Sequence, residues 1–390
     1  MKSHILAARF AAYPTLQILM ILALLGGGWL TFVPGLILFG ALVVFDGIGR
    51  EYRNPHEAPH PVFYEALLWL VVLLSTLLWL TMIAVTASDG TFFSSVASML
   101  RGDDGGAYGT IATIGAIAST GFILGTATPF SHELFHRQAK LPWYTAQVAL
   151  AQFFYAPLAI EHVQGHHRNV GLDGDLTTAP RGLSFWRYLP RTIVGTYKGA
   201  ALLEAKRLSR QSKGPFNWRN RFLHGIGLQL MLLAGLAYAG GLGAIFAAVA
   251  AGFIAIMAIE AVQYVSHYGI MRAPGRPIEN RHAWNGVRLL STSLMINLHH
   301  HSEHHRSASR PYWKLGVPED APVYPAGIGC MAFAAFYPRL FFRLTEPLLQ
   351  DWDRRLASAE ELELLRTRYS SRSVSAVGKT DHSTAAMSGS

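Results

Sequence analysis

The chain has 390 residues, 51% hydrophobic and only 15% charged. Soluble domains carry about 25% charged residues, so this composition argues against a water-soluble fold and rules out disorder, collagen and coiled coil as the main architecture. One cysteine, Cys330, rules out a disulfide framework, a CxxC pair and a cysteine-ligated iron–sulfur centre, and a net charge of +9 reads, in a membrane protein, as basic cytoplasmic loops rather than nucleic-acid binding.

A bilayer core takes about 20 apolar residues per helix. The first apolar stretch, Leu16 to Phe45, is broken by Gly26, Gly27, Gly28 and Pro34, and divides into spans 16–30 and 31–46 with a turn near Trp29. A signal peptide is the competing reading, but the stretch is too long and lacks a small-residue cleavage site. Residues 62–85 form a third span, and 110–130 a fourth whose Gly, Ala and Thr suit close helix packing. Residues 222–239 and 242–265 form the fifth and sixth, joined at Gly240 and Gly241. Two weaker stretches, Leu141 to Ile160 and Ala326 to Leu344, are bounded or interrupted by Pro142, Pro157 and Pro338, and read as interfacial or re-entrant helices. The fold class is therefore an all-α integral membrane protein with about six transmembrane helices.

Charge sets the orientation. The loop after span three holds Asp89, Asp103 and Asp104 against Arg101 alone, whereas the segment between spans four and five is rich in Lys and Arg from Arg137 to Arg221. The positive-inside rule places that segment in the cytoplasm, with Lys2, Arg9, Arg50 and Arg53 on the same side. Residues 1–365 read as the membrane domain. From about Arg366 the composition turns to Ser, Ala, Thr and Gly, so 366–390 reads as a disordered tail.

Histidines cluster at four places on that side. His132 and His136 stand four apart in HELFH, so on a helix both can reach one metal. In EHVQGHH, His162 and His166 are again four apart, and His167 can reach a neighbouring metal. His267 stands alone at the end of span six, and HSEHH supplies His301, His304 and His305. These nine imidazoles suffice for two metals with four or five ligands each, and imidazole suits iron, copper, nickel and zinc. Other readings exist: HELFH matches the zinc-protease pattern HExxH, and a histidine-rich run occurs in metal transporters. Nine ligands are too many for one tetrahedral zinc, and a scavenging tract does not account for the ordered pairs. Glu133, Glu161 and Glu303 are candidate partners for ligand rings. His4, His56, His60, His224, His282 and His382 read as surface residues, and His299 and His300 are expected to tolerate alanine.

The boxes HELFH, EHVQGHH and HSEHH, with the flanks SFWRYLPR and RPYWKL, resemble the membrane-bound alkane 1-monooxygenases, which are related to xylene monooxygenase and more distantly to fatty-acid desaturases. The resemblance runs from about Pro129 to Trp352. It implies two non-haem iron ions, O2 as co-substrate and terminal hydroxylation of an apolar chain. One box departs from the family pattern NYxEHYG: here Gln263 and Ser266 replace the asparagine and the glutamate, while His267 and Tyr268-Gly269 remain. Without that glutamate, His267 needs another partner, such as Glu260 or a backbone carbonyl. A different apolar substrate, an alkyl aromatic or a terpenoid, stays open, as does desaturation.

The chain has no dinucleotide fingerprint and no cysteines for its own iron–sulfur centre. Electrons are therefore expected from a separate rubredoxin- or ferredoxin-like carrier with its reductase. The remaining partners are O2, a membrane-dissolved substrate and the lipid bilayer. The expected location is a bacterial inner membrane with a cytoplasmic active site.

Overall fold

The structure is a computed structural model that describes residues 8–53, 61–102, 108–137 and 139–377, with side chains as far as Tyr369. Among these residues there are helices and two isolated β-bridges but no strand. In chain order the main helices are α1 (Ala12–Gly26), α2 (Val33–Gly40), α3 (Pro61–Thr86), α4 (Phe92–Arg101), α5 (Thr110–Thr126), α6 (Thr128–Phe135), α7 (Lys140–Ala151) and α8 (Leu158–Glu161). A π-helical turn, His162–His166, follows α8 directly. Then come α9 (Phe185–Ser209), α10 (Arg221–His267), α11 (Leu289–Leu294), α12 (His301–Arg306), α13 (Ile328–Ala335), α14 (Pro338–Arg355) and α15 (Ala359–Val377).

Five helical stretches are long and apolar enough to cross a membrane: Arg9–Gly26, Gly28–Ile48, Pro61–Thr86, Thr110–Phe135 and Arg221–His267. The last has 47 residues. A straight helix of that length would extend about 70 Å, more than twice the bilayer core. It does not run straight: at Gly241 the backbone reaches φ 67°, ψ −164°, outside the helical region. Both limbs then pass the same stretch of chain. Gln229 of the first accepts the Ala156 N–H at 2.9 Å, and Gly252 of the second lies against Phe153. The fifth and sixth expected spans are thus the two limbs of α10. Gly27, between the first two spans, has nearly the same dihedrals, φ 67° and ψ −165°. Only glycine adopts that region without strain.

Close packing of α5 on α10 sets the site. Gly121 and Gly125, one turn apart on α5, face Ala251 and Ala255 of α10 so closely that an added Cβ would stand 2.6 and 2.7 Å from their carbonyl oxygens. This small-residue seam lets two backbones approach as they do in membrane helix pairs. It brings the His132 end of one helix beside the His267 end of the other. The weaker apolar stretches form α7–α8 and α13–α14, none of them among the five long apolar helices.

Two expectations change here. The tail does not begin at 366, because α15 continues to Val377; residues beyond it lie outside the described residues. So do Asp103, Asp104, His4, His56, His60 and His382. His282 is not a surface residue: it is buried, its Nε2 2.8 Å from Glu361 of α15. Burial alone would raise the Glu361 carboxyl, but hydrogen bonds from His282 and the Ser358 amide, with Arg281 alongside, hold it down to about 2.

Two outcomes are expected. Gly241→Val should lower stability by about 1–3 kcal/mol through forced positive φ, seen as a lower Tm in detergent, whereas Gly235→Ala, with no neighbour within 4 Å, should not. A carboxylate with a depressed pKa contributes stability above its ordinary value and loses it as pH falls through the folded value. Acid titration of Tm should therefore show a loss between about 4.5 and about 2, and Glu361→Gln should flatten that step.

Candidate metal centre

α5 and α6 are nearly continuous and deliver His132 and His136 from one face, with ring nitrogens 3.2 Å apart. The second box behaves otherwise. It lies in the π turn, whose hydrogen bonds run from i to i+5, so residues five apart are stacked. His162 accordingly pairs with His167, Nε2 to Nε2 3.0 Å, while His166 turns to His267 at 3.1 Å. The expected sharing of one metal by His162 and His166 is overturned by that extra residue per turn. In α12, His301 and His305 stand 3.0 Å apart at ordinary helical spacing, and His304 faces away from them to reach His167 at 3.1 Å.

The outcome is two groups. His132, His136, His162, His167 and His304 form one, and His166, His267, His301 and His305 form the other. Within each, the ring nitrogens lie within 4.8 Å of one another. All nine sequence-derived histidines fall into these groups. His299 and His300 do not, though both are buried. His300 Nδ1 donates to the Leu315 carbonyl at 2.7 Å, tying the last box to the following loop.

The donor set fits a cation. A ring N–H can bridge one pair of nitrogens, but four or five nitrogens aimed at one point cannot satisfy each other by hydrogen bonds. Ligands about 2.1 Å from a common ion sit about 3.0 Å apart at right angles, against about 3.4 Å in a tetrahedron. The closest nitrogen pairs here are 2.8–3.2 Å apart. That spacing suits coordination numbers above four. Burial, with the charge of nearby His166, holds both His136 and His301 down to about 3, so each is neutral and keeps a lone pair.

One carboxylate orients a ring, and the sequence reading did not find it. Asp175 accepts from His166 Nδ1 at 3.0 Å and is held in turn by the Thr178 hydroxyl at 2.7 Å. Burial would lower His166, but the Asp175 carboxylate overrides it and raises the ring. None of Glu133, Glu161 and Glu303 has a hydrogen bond to a histidine among the described residues. Glu303 instead binds Arg310 and the Gly316 amide. Glu161 folds back over Gly165, where a Cβ would lie 2.5 Å from its Oε1. Glu260 does not reach His267, because Tyr155, Tyr188 and Gln263 occupy it. Only the Asp-Leu-Thr-Thr turn at 175–178, a local side-chain cap, could have signalled Asp175.

Two cavities adjoin the rings. An apolar chamber of about 60 Å³ has His132, His162 and His301 in its wall, so it touches both groups. It shares Thr126, Ala258, Val262 and Met295 with a second apolar cavity of about 180 Å³, lined further by Phe39, Phe122 and Phe333. On the other flank an open cavity of about 770 Å³ reaches His136 and is ringed by Arg137, Lys140, Arg168, Lys206, Arg207, Arg210, Arg219 and Arg221.

Helices that bury paired histidine clusters at one end of a membrane bundle define an integral membrane protein with a metal site. Comparison with known proteins agrees. The fatty acid desaturase family matches residues 109–317. Alkane 1-monooxygenase 1 of Pseudomonas aeruginosa is 30% identical over 326 residues, 80% of either chain. Alkane 1-monooxygenase 1 of Alcanivorax borkumensis is 30% identical over 82% of this chain and 78% of its own. The xylene/toluene monooxygenase hydroxylase component XylM of Pseudomonas putida is 32% identical over 64% of this chain and 68% of its own. The chain belongs to the fatty acid desaturase family and, within it, to the group that contains the alkane 1-monooxygenases and the xylene monooxygenase hydroxylase component.

Removing a carboxylate that orients a ligand ring costs about 10–100-fold in metal affinity. Asp175→Asn should therefore release metal to a chelator faster by that order. Glu303→Gln, which touches no ring, should not.

Proposed function

We propose that the protein is an O2-dependent monooxygenase that hydroxylates a terminal methyl of a hydrophobic substrate, with two iron ions held by the nine histidines, five on one and four on the other. The observation that carries this reading is the apolar chamber walled by rings of both groups. The reaction is R–H + O2 + 2 e⁻ + 2 H⁺ → R–OH + H2O. When bound, the metal pair supplies the redox chemistry with O2. The chain's own residues do the rest. The five-ring and four-ring groups hold the ions in place, with Asp175 fixing the His166 tautomer. Thr126, Ala258, Val262 and Met295, at the join of the two cavities, bring a lipid-dissolved chain end-on to the rings and keep water out. Phe39, on the wall of the outer cavity, is partly exposed on the apolar surface, which supports lateral access from the bilayer.

The substrate class follows from that lining: an n-alkane, as the names of several relatives indicate, or an alkyl aromatic, as the name XylM indicates. The eight-cation cavity beside His136 supports docking of an acidic rubredoxin- or ferredoxin-like carrier, since opposite charge steers such encounters. The same charge supports a cytoplasmic orientation of this face in a bacterial inner membrane.

The test is metal analysis of the purified protein with O2 uptake and product identification on a panel of alkanes and alkylbenzenes. Two irons per chain and a terminal alcohol are expected. Alanine at His132, His136, His162, His166, His167, His301, His304 or His305 should abolish turnover, and His267→Ala should deplete one metal more than the other. One zinc per chain and no iron would contradict the reading, as would a desaturated product.

A further inference from the structure

Glu260 is a carboxylic acid in the middle of an apolar helix, fully buried. Its Oε1 accepts from the Tyr155 hydroxyl at 2.6 Å and from Gln263 Nε2 at 2.7 Å, and its Oε2 accepts from the Tyr188 hydroxyl at 3.1 Å. Donors therefore cover both oxygens, which is the environment of an ionised carboxylate, an acceptor only. Yet no Lys, Arg or His pairs with it among the described residues. An isolated buried anion is strongly disfavoured unless a cation lies near.

Candidates to hold that cation are the two histidine groups. Glu260 lies two helical turns before His267 on the same helix, about 10 Å along the axis, and Gln263, which it binds, lines the chamber beside His132, His162 and His301. A ring that ligates a metal through a lone pair does so as a neutral donor. Two divalent ions held this way keep their full charge, and anions outside the ligand set must balance it. Asp175 is one such anion, in contact with His166. Glu260 is a second, set further off.

We propose that Glu260, cradled by Tyr155, Tyr188 and Gln263, is a positioning residue whose negative charge balances the metal pair from within the membrane helix. The inference rests on the two-metal reading above. It makes the buried carboxylate and the metals mutually dependent: without the cations, Glu260 takes up a proton, and without the anion, the cations are held less firmly.

Two measurements test this on the purified full-length protein. The first is metal release to a chelator from wild type, Glu260→Gln and Glu260→Asp. Glu260→Gln keeps the size and loses the charge, and should release metal about tenfold faster or more, by analogy with other outer-sphere partners; Glu260→Asp should recover most of the difference. The second is the infrared difference spectrum between metal-loaded and metal-stripped wild type. A carboxylic acid C=O band should appear on stripping and be missing in Glu260→Gln. Unchanged release in Glu260→Gln, or no band assignable to Glu260, would overturn the inference while leaving two metals per wild-type chain. Fewer than two metals in the wild type would instead remove the reading on which it rests.

Discussion

Nine imidazole rings face one another in two groups, and the rest of the molecule is arranged so that they do. The arrangement suits positive charge between them. Neutral rings turned lone pair to lone pair have too few protons to share. The seam of Gly121 and Gly125 against Ala251 and Ala255 exists at the one place where two spans must end side by side. The reversal at Gly241 returns α10 to the same end of the bundle it started from. The loop before α12 is pinned by His300 to Leu315, so that three rings on a short helix keep their register.

Ordinary helical spacing made part of this legible. Apolar run length located each membrane limb, including both halves of α10, because burial in lipid leaves little choice of residue. The pairs His132/His136 and His301/His305 obey the four-residue rule and meet as expected. His162, His166 and His167 do not, because a π turn adds a residue and exchanges the partners. No sequence signal separates a π turn from an α turn here. Partners of the rings were harder still. Glu133, Glu161 and Glu303 were attractive because they neighbour histidines in sequence, but neighbours on a helix point in different directions. Asp175 lies nine residues beyond His166 and returns through a loop whose path depends on tertiary packing. His282 reads as a surface residue for want of a partner in sequence; its partner, Glu361, lies 79 residues further on.

The polar and apolar parts of the site divide the labour of the proposed chemistry. Apolar walls and a chamber that touches both ring groups select a lipid-soluble chain and orient its end. The basic cavity on the opposite flank meets His136 without crossing the chamber, so the proposed electron carrier and substrate would have separate approaches to the rings. The departures at Gln263 and Ser266 fall on the chamber wall rather than among the nine rings. Both face the proposed substrate chamber, and Gln263 also holds Glu260.

The central claim is the division of nine rings into five and four by the π turn. Mössbauer spectroscopy of the iron-loaded protein reads it most directly. Two iron signals of equal area and unequal parameters are expected, with His304→Ala altering one and His305→Ala the other, although the two residues are adjacent in sequence. A single signal, or the same signal altered by both substitutions, would contradict the account.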